Sequence, residues 1–313
     1  MLTYSAIDNY ISKLIEERKA SATVRAARQL LEAFDANTQL ASGHELIEHL
    51  TVGDVRLFLY RNPGSSPATF NRERSVLTGF LRHCGVEHLI SAIPPMKNPQ
   101  KPNLILSPEE MRSLLAEANP VERVALAIGM HTGLRASDIS ALRVGDVDLA
   151  TDYITCTIQK TGVTDRKPIT APLRVELAEW LNRYAVGREN DVYLVPSYTI
   201  TPQGNLQVRP EQPLGHMHRL VQRALARVGL PVAGQGFHTL RRSAARALFE
   251  QLRQETNSDH ALLVVREFLN HQSVTQTERY LGISTERTLR DEALRGRDFL
   301  SAPRPQLAEV ISL

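Results

Sequence analysis

Apolar residues recur at helical spacing through the first part of the chain. Ile7, Ile11, Leu14 and Ile15 form one stripe, and Val24, Ala27, Leu30, Leu31 and Phe34 form another after Ser21. Such spacing puts the apolar side chains on one face of a helix, with polar residues on the other. The segments 55–60 and 70–80 continue the pattern across Asn62-Pro63-Gly64-Ser65-Ser66-Pro67, a run of residues that interrupt helices. The pattern predicts a bundle of four main helices over residues 1–92. It then stops: residues 93–103 carry four prolines, two lysines and no periodic apolar face, as expected of an extended linker between domains.

Periodicity resumes at Ser107-Pro108-Glu109-Glu110, which combines an N-cap residue, proline at the first helical position and acids in the first turn. A further helix is expected over 121–130, ended by Thr132-Gly133, and a short one from Ser137. Residues 153–158 alternate and are rich in β-branched side chains, Thr161-Gly162 suits a turn, and 167–170 can return as a partner strand. This predicts a hairpin with Lys160 near its tip. Helices are expected over 175–184, 216–228, 239–252 and 261–268, with a short one at 275–280. The fold class read from this is mostly α: an N-terminal helical bundle, then a mixed α+β domain over 104–284 with a small antiparallel sheet. A tail follows over 285–313.

Composition excludes several classes. No apolar run approaches the roughly 20 residues that span a bilayer, and the N-terminus carries Asp8, Glu16 and Glu17 where a secretion signal needs a basic stretch and an apolar core. An intracellular protein is expected. Cys84 and Cys156 lie far apart, so neither a disulfide framework nor a zinc site is indicated, and both read as small buried hydrophobes. The net charge of +3 says little, but its distribution says more. Residues 201–253 hold eight arginines against Glu211 and Glu250, and residues 56–82 hold five against Glu73. Two basic stretches suit a phosphate backbone, although solvated helix faces give the same pattern.

Four separated pieces carry candidate chemistry: Thr132-Gly133-Leu134-Arg135-Ala136-Ser137-Asp138; Gln159-Lys160-Thr161-Gly162; His238-Thr239-Leu240-Arg241-Arg242-Ser243; and Leu269-Asn270-His271, with Tyr280 nine residues after the histidine. Together, in this order and spacing, they resemble the active-site signature of the tyrosine recombinases of the phage integrase family. The order of helical domain, proline-rich linker and catalytic domain is also similar to that family's. The resemblance implies that Tyr280 attacks a DNA phosphodiester, that Arg135 and Arg241 clamp the phosphate, and that Lys160 protonates the leaving 5′-oxygen. It also implies that His238 and His271 bond the phosphate or assist proton transfer, and that Asp138 orients an arginine. Arginine suits the clamp because its planar fork donates two hydrogen bonds and stays charged. A histidine metal site is the competing reading, disfavoured by basic surroundings and the lack of a cysteine or carboxylate cluster. No metal and no cofactor is therefore expected. Arg242, Arg246 and Arg253 read as helix-surface arginines.

Two positions depart from the family's pattern. Asn270 stands where glycine is usual, and asparagine tolerates a left-handed backbone better than most residues. Arg242 stands where histidine or another polar residue is common. The resemblance further implies double-stranded DNA with core-type sites as partner, a tetramer on two sites, and a place for an accessory or directionality factor. With the helical domain starting at once, a separate arm-site-binding domain is not expected. The same chemistry fits a Xer-like recombinase that resolves dimers, or a type IB topoisomerase acting as a monomer; a catalytically silent DNA-binding protein is the alternative outside catalysis. In the tail, a charged helix is expected over 285–299. Leu307, Val310 and Ile311 then have the spacing of a short amphipathic helix, which needs a groove in its own or a neighbouring protomer.

Overall fold

The stripes of the first half become the helices α1 (Thr3–Glu16), α2 (Ser21–Ser42), α3 (Val52–Leu59) and α4 (Pro67–His83), followed by a short α5 (His88–Ser91). Local chemistry sets where two of them begin. Thr51 accepts from the Asp54 N–H at 3.3 Å while the Asp54 carboxylate accepts from the Thr51 N–H at 2.8 Å, a reciprocal cap for α3. Ser66 accepts from the Thr69 N–H at 3.1 Å and Pro67 occupies the first turn of α4. Phe34, Phe58, Phe70 and Phe80 fill the core of this half, and the Phe34 and Phe58 rings meet edge to face at 5.3 Å.

The structure is a computed structural model and describes residues 1–98, 104–159 and 161–283. The chain divides into two compact units, Met1–Pro102 and Asn103–Leu313. Lys160 and both helices expected in the tail lie outside the described residues. No helix among the described residues is long and apolar enough to cross a membrane.

The second unit runs α6 (Pro108–Ala116), α7 (Pro120–Thr132), α8 (Ala136–Ala141), β1 (Val147–Asp148), β2 (Tyr153–Thr157), β3 (Thr164–Pro168), α9 (Ala171–Tyr184), β4 (Pro196–Ile200), β5 (Leu206–Pro213), α10 (Met217–Arg227), α11 (Phe237–Glu255), α12 (Ser258–Phe268) and α13 (Val274–Leu281). The chain is thus mostly helical with small antiparallel sheets, as its pattern predicts. The strands β1, β2 and β3 pair in that order, with Tyr153 opposite Pro168 and Thr157 opposite Thr164. The return strand begins at Thr164, earlier than the alternation suggests, because the turn closes tightly: the Ile158 N–H reaches the Val163 carbonyl at 2.8 Å and Gly162 takes φ +70°. A second hairpin, β4 with β5, was not expected from the sequence.

Helix α7 is the centre of this unit. Val121, Val124, Ala125, Leu126, Ala127 and Ile128 are all buried, so the helix is covered around its circumference rather than on one stripe. Helix α11 packs closely on it at Gly129, where an added Cβ would lie 2.5 Å from the Phe237 ring. A smaller apolar cluster, with Phe249, Leu262, Val265, Leu269 and Leu281, ties α12 and α13 to α11.

Candidate active site

Apart from Lys160, the candidate residues reach one region of the second unit from four elements. Gly133 ends α7 with φ +64°, a left-handed conformation that glycine adopts freely. The chain turns there and places Arg135 at the start of α8. Asp138, which is buried, accepts from the Arg135 N–H at 3.2 Å through one carboxylate oxygen and from the Gln159 N–H at 2.9 Å through the other. One carboxylate therefore ties the Arg135 turn to the residue that precedes Lys160. The flanks of Lys160 are fixed by the closed turn of residues 158–163, while Lys160 itself is outside the described residues.

His238 and Arg241 stand one turn apart near the start of α11, so they share a face. Arg241 is only 2% exposed and donates to the Leu269 carbonyl. Burial pulls its guanidinium down to about 10, with the Arg135 charge acting in the same direction. His238 is exposed as a residue, yet neighbouring atoms strip water from its ring, and Arg241, Arg242 and Arg135 add their charge. All of these lower its pKa, which keeps the imidazole neutral near pH 7.

His271 follows the end of α12 in a Schellman turn. The His271 N–H bonds the Arg266 carbonyl at 3.0 Å, and the Asn270 N–H bonds the Glu267 carbonyl at 3.1 Å. Asn270 has φ +50°, the left-handed conformation anticipated for it. The imidazole Nδ1 lies 3.2 Å from the Thr277 hydroxyl. Tyr280, near the end of α13, meets the His271 ring edge to face, with centroids 5.1 Å apart and planes at 82°. Its hydroxyl donates to the His238 carbonyl at 3.3 Å. Burial raises the phenol pKa, while Arg241, Arg242 and Arg135 hold it back.

The phage integrase family model matches residues 105–287, the span that contains all of these groups. The chain belongs to the phage integrase family. It is similar to tyrosine recombinase XerC 2 of Ralstonia nicotianae, with 27% identity over 247 residues covering 74% of this chain and 66% of that protein, just under two thirds of its length. Among solved structures it resembles a dimer of lambda integrase residues 75–356 bound to a COC′ core site, with TM-score 0.67 and 20% identity over 97% of this chain and all of that one. It also resembles a lambda integrase tetramer bound to a Holliday junction, with TM-score 0.65, 20% identity, and coverage of 97% and 80%. At such identities the structures establish the integrase fold.

Three further residues belong to this region that the sequence pattern did not place there. Arg242, expected as a surface arginine, is half-buried, with its guanidinium carbon 5.0 Å from the Tyr280 ring centroid and its Nε 3.2 Å from the Tyr280 carbonyl. Arg246 likewise reaches the Leu281 carbonyl at 3.3 Å. The reason is tertiary: α13 folds back onto α11, which no helical pattern reveals. Lys167 on β3 is buried and donates to the Glu267 and Phe268 carbonyls at 3.0 and 3.1 Å. Its signal was available, since a lysine in the inward register of a strand calls for a partner. A cavity of about 1310 Å³ lies behind the His271 turn; His271, Asn270 and Lys167 line it, whereas Arg135, Arg241 and Tyr280 do not.

Proposed function

We propose that the protein is a site-specific DNA recombinase in which Tyr280 attacks a scissile phosphodiester. The phenolic oxygen bonds to phosphorus, the bond to the 5′-oxygen breaks, and the DNA remains attached as a 3′-phosphotyrosine ester. Arg135 and Arg241 neutralise the nonbridging oxygens, and Lys160 gives its proton to the departing 5′-oxygen. His238 and His271 bond the phosphate or take the phenolic proton, and Asp138 holds Arg135 and the hairpin in register. A 5′-hydroxyl from another strand then reverses the step, so the ester conserves the energy of the broken bond.

What carries this reading is the position of one phenol where the charges of Arg241, Arg242 and Arg135 act together, beside His271 and His238. In this reading residues 1–92 grip double-stranded DNA, residues 93–103 link the domains, and residues 104–284 carry the chemistry inside the cell. Four protomers act on two core-type sites through a Holliday junction, in the manner of the lambda tetramer, with a directionality factor where one direction is enforced. Phage or prophage integration is the first assignment. The similarity to XerC 2 favours dimer resolution as the second.

Trapping covalent adducts on host genomic DNA tests both. Wild-type protein yields adducts at one defined site, whereas Tyr280→Phe binds that site with near wild-type affinity and yields none. Adducts from the phenylalanine variant would remove Tyr280 as nucleophile. A site at a prophage boundary supports integration, and a single chromosomal site without a prophage supports dimer resolution.

A further inference from the structure

The last carbonyls of a helix need donors, and α12 recruits two buried cations for them. Lys167 spans the Glu267 and Phe268 carbonyls, and Arg241 takes the next one, Leu269. Cations at this end also complement the negative pole of the helix. The arrangement brings Lys167 and Arg241 onto adjacent steps of one ledge, so the position of one guanidinium in the site depends on where that ledge sits.

Asp165 completes the link. Its Oδ2 accepts from Lys167 Nζ at 3.0 Å and from the Asn270 side-chain amide at 2.7 Å. Burial alone would raise the Asp165 carboxyl, but these two bonds pull it below its ordinary value. Burial lowers the Lys167 ammonium in turn, with Asp165 opposing it. At φ +50° the backbone at position 270 asks only for a residue that tolerates the left-handed region. Glycine meets that requirement; asparagine adds an amide that reaches the strand. A strand that leads back to the Lys160 turn is thereby fastened to the residue immediately before His271.

We propose, resting on the recombinase reading, that Asp165, Lys167 and Asn270 are positioning residues that hold His271 and Arg241 in register through the end of α12. None of the three touches the reacting atoms. Their effect passes through two groups that do, and small displacements of such groups are costly because reaction demands near-attack geometry.

The test uses full-length protein carrying Lys167→Met, Lys167→Arg or Asn270→Gly, with two readouts. The first is the ¹H–¹⁵N spectrum of the His271 ring without DNA, recorded well below each variant's melting temperature, where a role confined to overall stability leaves the ring signals in place. Lys167→Met and Asn270→Gly are expected to shift them, and Lys167→Arg to restore them in part. The second is adduct formation on fragmented host genomic DNA, expected to fall between about tenfold and a hundredfold in the first two variants with DNA binding unchanged. Unshifted ring signals in both variants, or wild-type adduct formation in both, overturn the proposal. Should Lys167→Met fail to fold, Asn270→Gly decides, since glycine retains the turn and deletes only the amide. Ring signals that shift as expected in a protein whose wild type forms no adduct support the positioning and overturn the recombinase reading instead.

Discussion

Arg242 shows how one side chain acquires a role through the helix that folds against it. Its guanidinium faces the Tyr280 ring and its Nε meets the Tyr280 carbonyl, so it both fixes the end of α13 and adds positive charge near the phenol. Replacing it with glutamine removes a cation–π contact of about 0.5–2 kcal/mol and one of the charges that hold the phenol pKa down. Arg242→Gln is therefore expected to form adducts roughly 3- to 30-fold more slowly near pH 7. Burial keeps the phenol pKa above its ordinary value in both proteins, so each gains phenolate in the same proportion as the pH rises and the deficit stays constant between pH 7 and 9.5. Single-turnover adduct formation across that range checks it, and an unchanged rate would reduce Arg242 to packing. Arg135, Asp138, Arg241 and Tyr280 were legible as candidates because such residues in that order and spacing are unusual in combination. Arg242 reads as a helix-surface arginine, because an arginine on a helix looks ordinary until the opposing element is in place, and Lys167 reads only as part of a return strand, although a lysine in the inward register calls for a partner.

Among elements, the turn between α7 and α8 is constrained both by its backbone and by its neighbours. Gly133 has φ +64°, and a Cβ there would lie 2.6 Å from the Phe268 ring and 2.7 Å from the Phe268 carbonyl oxygen. That carbonyl is also held by Lys167, so Gly133→Ala strains its own backbone and pushes the end of α12. The expected loss is about 1–3 kcal/mol, seen as a lower midpoint in urea, together with slower adduct formation because Arg135 and His271 flank the contact. A midpoint equal to wild type would show that α12 can yield. Helices such as α6 and α7 were legible because their caps and apolar positions agree. The β4–β5 hairpin was not, since β5 contains Pro210, Glu211 and Pro213, residues that strands usually avoid. Pairing with β4 overrides that preference. Pro210, which has no N–H to give, still offers its carbonyl to the Tyr193 N–H at 3.0 Å.

For the molecule as a whole, the basic stretches of the sequence overstate the charge presented to DNA. Arg223 and Arg227 pair with the buried Glu122, and Arg246 and Arg253 share Glu250. In the first unit Arg61 pairs with Glu73, Arg82 pairs with Glu87, and Arg74 donates to the Ile93 carbonyl. Arg56 and Arg72 in one unit and Arg209 and Arg219 in the other are exposed, and none has an ion pair among the described residues. Arginines of this second kind release counterions on binding phosphate, so log K should fall with log salt by about 0.9 for each one engaged. Arg72→Ala and Arg219→Ala are each expected to flatten that slope by about one unit. Arg227→Ala should leave it nearly unchanged while lowering stability by roughly 1.5–3 kcal/mol, because Glu122 loses a charged hydrogen-bond donor. Fluorescence anisotropy on duplex DNA over a salt series, with urea unfolding of the same variants, separates the two classes. Equal slopes for all three variants would mean that the internal pairs open on binding and that the whole basic stretch does meet the DNA.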